Sequence, residues 1–173
     1  MITLRRLAVA SALAVTVTAG PAAPVGAATT SVSGTAVFDH AYTTCPKDPP
    51  AGYGTFTSYD PLVLSGDLEG CWYTRIDRAW DLGPPTGLYF EVGREVFVGS
   101  VGGGPEGTFS TVYTFESQWD PDAATGTEIW GHCEHPIVPG TGRAGLRGIS
   151  GYLGFIDIVT DGSYTYSGFV RQR

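Results

Sequence analysis

Glycine and proline recur every few residues through most of this chain, and this recurrence limits its fold more than any other feature. The 173 residues include 25 glycines and 12 prolines, and both residue types are unfavourable inside helices. Between them lie short runs rich in valine, isoleucine, threonine and aromatic residues, a composition typical of β-strands. No run after residue 30 repeats its apolar residues with the 3.6-residue period of a helix. The sequence therefore predicts an all-β domain with almost no α-helix.

Eight segments have the alternation or the composition expected of strands. They are residues 31–38, 53–59, 62–76, 88–98, 108–119, 127–138, 146–159 and 164–170. Short strands joined by short connections fold as a sandwich or as a closed barrel. Long strands with polar faces favour the barrel, because closure leaves no exposed sheet edges.

Residues 1–28 have the three parts of a secretory signal peptide. Arg5 and Arg6 form the positive region, residues 7–17 are apolar, and small residues at 25–28 suit a cleavage site. The apolar run is shorter than the roughly 20 residues of a membrane-spanning helix. We therefore predict a signal peptide over residues 1–28, one barrel domain over 29–173, and a secreted, extracellular protein with no membrane association after cleavage.

Net charge limits the partners of the mature domain. Of the 10 Lys and Arg residues, two lie in the signal peptide, so 8 basic residues remain against 17 acidic ones. Nucleic-acid binding needs a basic face, and the basic residues here are scattered. We expect no nucleic-acid partner, a small-molecule ligand, and a monomer or a dimer.

Three cysteines remain after cleavage, at positions 45, 71 and 133. Export permits a disulfide, and an odd count leaves one thiol over. Spacing alone allows three pairings. We favour Cys71 with Cys133, because both lie in strand-like segments that could be neighbours, whereas Cys45 lies in a proline-rich loop.

Two other segments carry chemically active residues, but neither predicts a metal or cofactor site. His132 and His135 lie three positions apart, which on a strand places them on opposite faces, and zinc needs three or four ligands. The glycine-rich segment 136–148 precedes a predicted strand, whereas a dinucleotide-binding loop opens a helix. This segment is predicted to turn a corner of the barrel. We expect no metal and no cofactor.

Five side chains inside predicted strands are candidates for a ligand site. They are Glu69, Tyr73, Glu95, Tyr113 and Glu116. Alternation puts Glu69 and Tyr73 on one face, whereas Glu116 and Tyr113 share a face only if a bulge resets the register. These faces meet either water or a barrel cavity, and the sequence leaves both open. Carboxylates and rings together would suit an amphipathic organic molecule.

Several motifs resemble the allene oxide cyclase and dirigent-protein superfamily. The stretch PIVPGTGRAGLRGISGYLGF at 136–155 resembles the Gly-Thr-Gly region that these families share, and residues 65–74, 91–99, 107–119 and 129–142 resemble segments of secreted bacterial relatives. The resemblance implies an eight-stranded antiparallel up-and-down β-barrel with a small central cavity. The catalytic residues of the plant enzymes have no position-by-position match here, so the resemblance assigns none.

We therefore expect a secreted β-barrel of unassigned role that binds a small hydrophobic or amphipathic molecule. The alternative is an isomerase or cyclase of the allene oxide cyclase or dirigent type. That alternative requires an acid or a base inside the cavity beside apolar walls.

Overall fold

The computed structural model describes residues 28–122 and 126–172 of the protein, and they contain nine β-strands and no α-helix. The strands are β1 Thr29–Phe38, β2 Leu62–Gly66, β3 Leu68–Asp81, β4 Leu88–Val101, β5 Gly107–Trp119, β6 Glu128–Pro136, β7 Arg143–Ala144, β8 Ser150–Ile158 and β9 Ser163–Arg171. Within these residues no helix is long and apolar enough to cross a membrane. The all-β prediction is confirmed, while the predicted signal peptide lies, except for Ala28, outside the described residues.

Eight of the strands close into a barrel in which every pairing is antiparallel. Going round the barrel, the order is β1, β2, β3, β4, β5, β6, β8 and β9. The ring closes where β1 pairs with β9, from Thr29 opposite Arg171 to Val37 opposite Ser163. The two residues of β7 add a short pairing to the start of β5. The predicted eight-stranded up-and-down barrel is confirmed.

Two strand predictions are wrong, although the number of strands in the barrel is still eight. The segment 62–76 forms two strands instead of one, because Asp67 lies in a turn after Gly66 and its carboxylate accepts a hydrogen bond from the Ser33 amide, 2.8 Å away. The segment 53–59 forms no strand. It belongs instead to a long loop, residues 39–61, that crosses the outside of the barrel.

One half of the barrel is filled by an apolar core. Its buried members are Val32, Ala36, Leu62, Leu64, Leu68, Trp72, Phe97, Phe109, Ile137, Leu146, Ile149, Leu153, Phe155, Tyr166 and Val170. Leu146 comes from the glycine-rich segment and Ile149 directly follows it, where the chain folds across this end of the barrel and leads into β8. The barrel is therefore closed at this end by its own chain.

The loop 39–61 covers the outer face of β3 and β4. Phe56 packs there against Tyr73 and Val96 in a second, smaller apolar cluster. At the start of the loop the backbone amides of Cys45 and Thr44 donate to the Asp39 carboxylate at 2.9 and 2.7 Å, and these bonds lower the pKa of Asp39 to about 2. The loop is thus anchored by apolar contact and by an ionised carboxylate.

A disulfide joins Cys45 in this loop to Cys71 on β3, with the two Cα atoms 5.7 Å apart. The predicted pairing of Cys71 with Cys133 is therefore wrong. Cys71 points outward beneath the loop, whereas Cys133 on β6 lies on the inner wall, and β4 and β5 separate the two strands. Cys133 is the free thiol of the three.

We predict that the double variant Cys45→Ala/Cys71→Ala is less stable than the wild type by about 3.5 kcal/mol, the entropic effect expected for a closed loop of this length. Urea unfolding of the double variant measures this loss, and Cys133→Ala, which removes the free thiol, is the control. Peptide mapping without reductant should recover Cys45 linked to Cys71. A linked peptide that contains Cys133 would contradict the assignment.

Candidate functional site: an acidic, aromatic-walled cavity

The half of the barrel that the core does not fill contains an open cavity of about 930 Å³. Its mouth lies between the hairpin of residues 82–87, the turn that follows β5, and the end of the loop 39–61. Eight aromatic side chains line it: Phe38, Tyr59, Tyr89, Tyr113, Phe115, Trp119, Phe155 and Tyr164. A cavity of this size with mainly apolar walls is typical of small-molecule sites.

Glu91 on β4 lies in the cavity wall at 1% exposure and accepts hydrogen bonds from three tyrosines. The Tyr89 hydroxyl donates to Oε1 at 2.6 Å and the Tyr113 hydroxyl to Oε2 at 2.8 Å, while Tyr59, from the loop, also donates to Oε1. These three hydrogen bonds hold the Glu91 carboxyl group in one position. Burial raises the pKa of Tyr89 to about 12 and that of Tyr113 further, so these phenols remain donors.

Glu95, four residues further along β4, is hydrogen-bonded to His135 of β6. The two side chains are 3% and 2% exposed, and His135 Nδ1 lies 2.6 Å from Glu95 Oε2. Thr111 also donates to Oε2, at 2.7 Å, and Thr74 to Oε1 at 3.3 Å. Because a carboxylate only accepts, Nδ1 carries the hydrogen. The other ring nitrogen, Nε2, is buried and has no hydrogen-bond partner among the described residues.

Gly93 lies between Glu91 and Glu95 on the inner face of β4 and makes this arrangement possible. A Cβ on Gly93 would fall 2.2 Å from the backbone oxygen of Arg75 on β3 and 2.5 Å from a ring carbon of Tyr113, its cross-strand neighbour on β5. Without that Cβ the Tyr113 ring lies across β4, where its hydroxyl reaches Glu91 and its face stacks near the His135 ring, with centroids 6.1 Å apart.

A second carboxyl pair, Glu128 at the start of β6 and Asp157 on β8, lies on the opposite wall. A Cβ on Gly131 would fall 2.6 Å from Glu128 Oε1 and 2.5 Å from Asp157 Oδ2, so the glycine leaves space for both groups. Burial and the neighbouring Glu128 raise the pKa of Asp157 to about 7, and burial raises that of Glu128. The pair therefore shares a proton near neutral pH, since two adjacent carboxylates do not both ionise easily.

The structure brings together only two of the five residues predicted as a ligand site. Glu95 and Tyr113 both line the cavity. Glu69 and Glu116 lie on the outer face, and Tyr73 points outward beneath the loop 39–61. The pairing of β4 with β5 is continuous over its whole length, so no bulge turns Glu116 toward Tyr113.

Several residues that line the cavity were not predicted as ligand contacts, although the sequence pattern contained some indication of them. Glu91 shares the alternating face of Glu95, and His135 is one of only three histidines. Asp157 and Glu128 lie near strand ends, where acidic residues are common for solubility. They come close together only because β6 pairs with β8. His132 faces outward and stacks on Trp130, and the described residues contain no group of three or more metal-capable side chains.

The comparisons with family models, curated proteins and solved structures found no match to this chain. Its class therefore follows from its own geometry. It is an eight-stranded up-and-down β-barrel with a filled apolar half and a cavity half, and the cavity has aromatic walls and buried carboxylates.

We predict that the free energy of unfolding falls as pH rises from about 4 to 7, because Asp157 binds its proton more tightly folded than unfolded. The stabilisation is complete below the unfolded pKa and is lost as pH rises through about 7. One proton gives a slope of at most about 1.4 kcal/mol per pH unit. Asp157→Asn should flatten this slope, because its amide can donate to Glu128 at every pH.

Urea unfolding at several pH values measures the slope, and Glu116→Gln on the outer face is the matched control. A slope unchanged in Asp157→Asn would show that other groups cause the pH dependence.

Proposed function

We propose that this protein is a secreted barrel that binds a small amphipathic organic molecule inside its cavity. The observation that carries the proposal is the division of the barrel interior into a filled half and an open half. The open half combines aromatic walls with buried, hydrogen-bonded polar groups. Aromatic walls supply apolar contact, and a few fixed polar groups orient a ligand.

The polar groups of the cavity are already held in place without a ligand. Glu91 is fixed by three phenols, and Glu95 by two threonines and a histidine. A site whose side chains are ordered before binding loses little conformational entropy when the ligand enters. The arrangement therefore supports specific binding more than non-specific uptake of apolar molecules.

The resemblance to allene oxide cyclases and dirigent proteins remains part of this proposal. A closed antiparallel barrel with a cavity agrees with the fold that the resemblance implies, but many unrelated functions use one fold. Membership of that superfamily is consequently a hypothesis, and the support for a ligand comes from the cavity alone.

We predict that the uncharged fluorescent probe N-phenyl-1-naphthylamine binds the protein in a 1:1 complex with a Kd on the order of 10 µM, the range for a ligand of this size. Cys133→Trp should weaken binding at least about tenfold, because the indole would occupy the cavity. Val112→Trp, at an exposed position on the outer face of β5, should bind as the wild type does.

Fluorescence titration measures both affinities, and circular dichroism confirms that the variants are folded. Equal binding by the two tryptophan variants would mean that the probe occupies the surface and not the cavity.

A second candidate function is proton transfer on the bound molecule, and the pair of Glu95 and His135 is the observation that favours it. A base oriented by a carboxylate, with its second nitrogen unpartnered at a cavity wall, is the arrangement of a general base. In this candidate Nε2 removes a proton from a carbon next to a carbonyl and returns it to another carbon, so that the product is an isomer.

We predict for this candidate that the protein catalyses exchange of the carbon-bound hydrogens of 1-(2-naphthyl)propan-2-one with solvent deuterium. His135→Gln should lower the rate by about 10²-fold or more, the usual contribution of a general base. Proton NMR in D₂O measures the exchange, with Glu116→Gln as control. Equal rates with and without protein would leave the pair of Glu95 and His135 a structural element only.

A further inference from the structure

We infer that the cavity selects an organic cation: a protonated amine attached to an aromatic or other apolar body. This inference rests on the proposed function, because it names the chemical class of the ligand in the same cavity. It follows from the charges of the lining residues, from buried acceptor atoms without donors, and from the aromatic walls.

The charged side chains that line the cavity are almost all acidic. Seven carboxyl groups line it: Asp60, Asp81, Glu91, Glu95, Asp120, Glu128 and Asp157. Of the described residues, no lysine or arginine lines it. The two histidines present are each already bound to a carboxylate, His40 to Asp60 at 2.8 Å and His135 to Glu95 at 2.6 Å. The cavity therefore has a strongly negative potential, which low-dielectric walls concentrate.

Several acceptor atoms in this cavity have no donor within the described protein. Glu128 Oε1 and Asp157 Oδ1 are buried and unpartnered. Nε2 of His135, a side chain that is almost completely buried, is also unpartnered, and it accepts a hydrogen bond when the ring is neutral. Buried polar atoms are normally hydrogen-bonded, and an orphaned one is costly. An ammonium group has three N–H donors and no acceptor, so it matches what these atoms lack.

The groups around Asp157 leave it free to receive a cation. It lies near Glu128 and Cys133 on β6 and near Tyr164 on β9. The Cys133 thiol and the Tyr164 phenol stay neutral, because burial raises the pKa of each. An ammonium ion would displace the shared proton of the carboxyl pair and bind between two carboxylates, with the proton passing to solvent.

The aromatic walls complete the recognition of a cation. Phe155 and Tyr164 lie beside each other on the wall that holds Asp157, with ring centroids 6.4 Å apart. Ring faces attract cations and also pack against an apolar body. A fatty acid or another carboxylate ligand would meet no lysine or arginine among the described lining residues, and the carboxyl groups of the wall would repel it.

Three ligands of nearly equal shape test the inference: 2-naphthylmethylamine, 2-naphthylmethanol and 2-naphthoate, titrated by calorimetry. At pH 8 the amine should bind at least about tenfold more tightly than the alcohol, the scale of one added charge-assisted hydrogen bond, and the naphthoate should bind more weakly than both. Asp157→Asn should weaken the affinity for the amine about tenfold and leave the affinity for the alcohol unchanged. Glu116→Gln, on the outer face, should change neither.

The affinity of the amine should also rise between pH 6 and pH 8, while that of the alcohol stays constant, because only the cation gains from loss of the shared proton. Equal affinities for amine and alcohol would overturn the choice of a cation and leave the proposed binding function standing. Failure of all three ligands and of N-phenyl-1-naphthylamine would overturn the proposed function and this inference together. Should Asp157→Asn fail to fold, Glu128→Gln tests the same pair from β6.

Discussion

Pairing of β1 with β9 is the interaction on which the rest of the structure depends. It closes the sheet, and closure turns one face of each of the eight barrel strands into an interior. In an open sheet the face that carries Glu91 and Glu95 would meet water, as polar strand faces usually do. In the closed barrel the same alternation places both carboxylates inside, where each must find donors. Hydroxyl groups of β3, β4, β5 and the loop, together with the ring of His135, supply them.

Sequence reasoning found the strands more easily than the contacts between them. Alternation grouped the residues of β4 and β5 correctly by face, because the side-chain period of two is a local property. It gave eight strands while misassigning residues 53–59 and the break at Asp67, since a turn depends on partners such as Ser33, far away in the chain. The prediction of the disulfide was wrong for the same reason. Only the path of the loop 39–61 brings Cys45 to the outer side of β3.

Only those parts of the candidate site that lie within a single strand could be predicted from the sequence. Glu95 and Tyr113 were identified because each lies in a clear alternating strand, and Glu91 shares the face of Glu95. The hydrogen bond from Tyr59 to Glu91 joins residues 32 positions apart, and the one between Glu95 and His135 joins residues 40 positions apart. No local pattern encodes such distances. The inward direction of this face was itself undecidable, because it depends on whether the sheet closes.

Two glycines show how the cavity is arranged around its carboxyl groups. At Gly93 and at Gly131 a side chain would occupy the space now taken by the Tyr113 ring and by the two carboxyls of Glu128 and Asp157. Glycine inside a strand weakens it, and adjacent buried carboxyls oppose each other. An apolar filling like that of the other half would avoid both costs. The barrel therefore has one half that is packed with apolar side chains, and a second half in which buried carboxyl and phenol groups surround an open cavity.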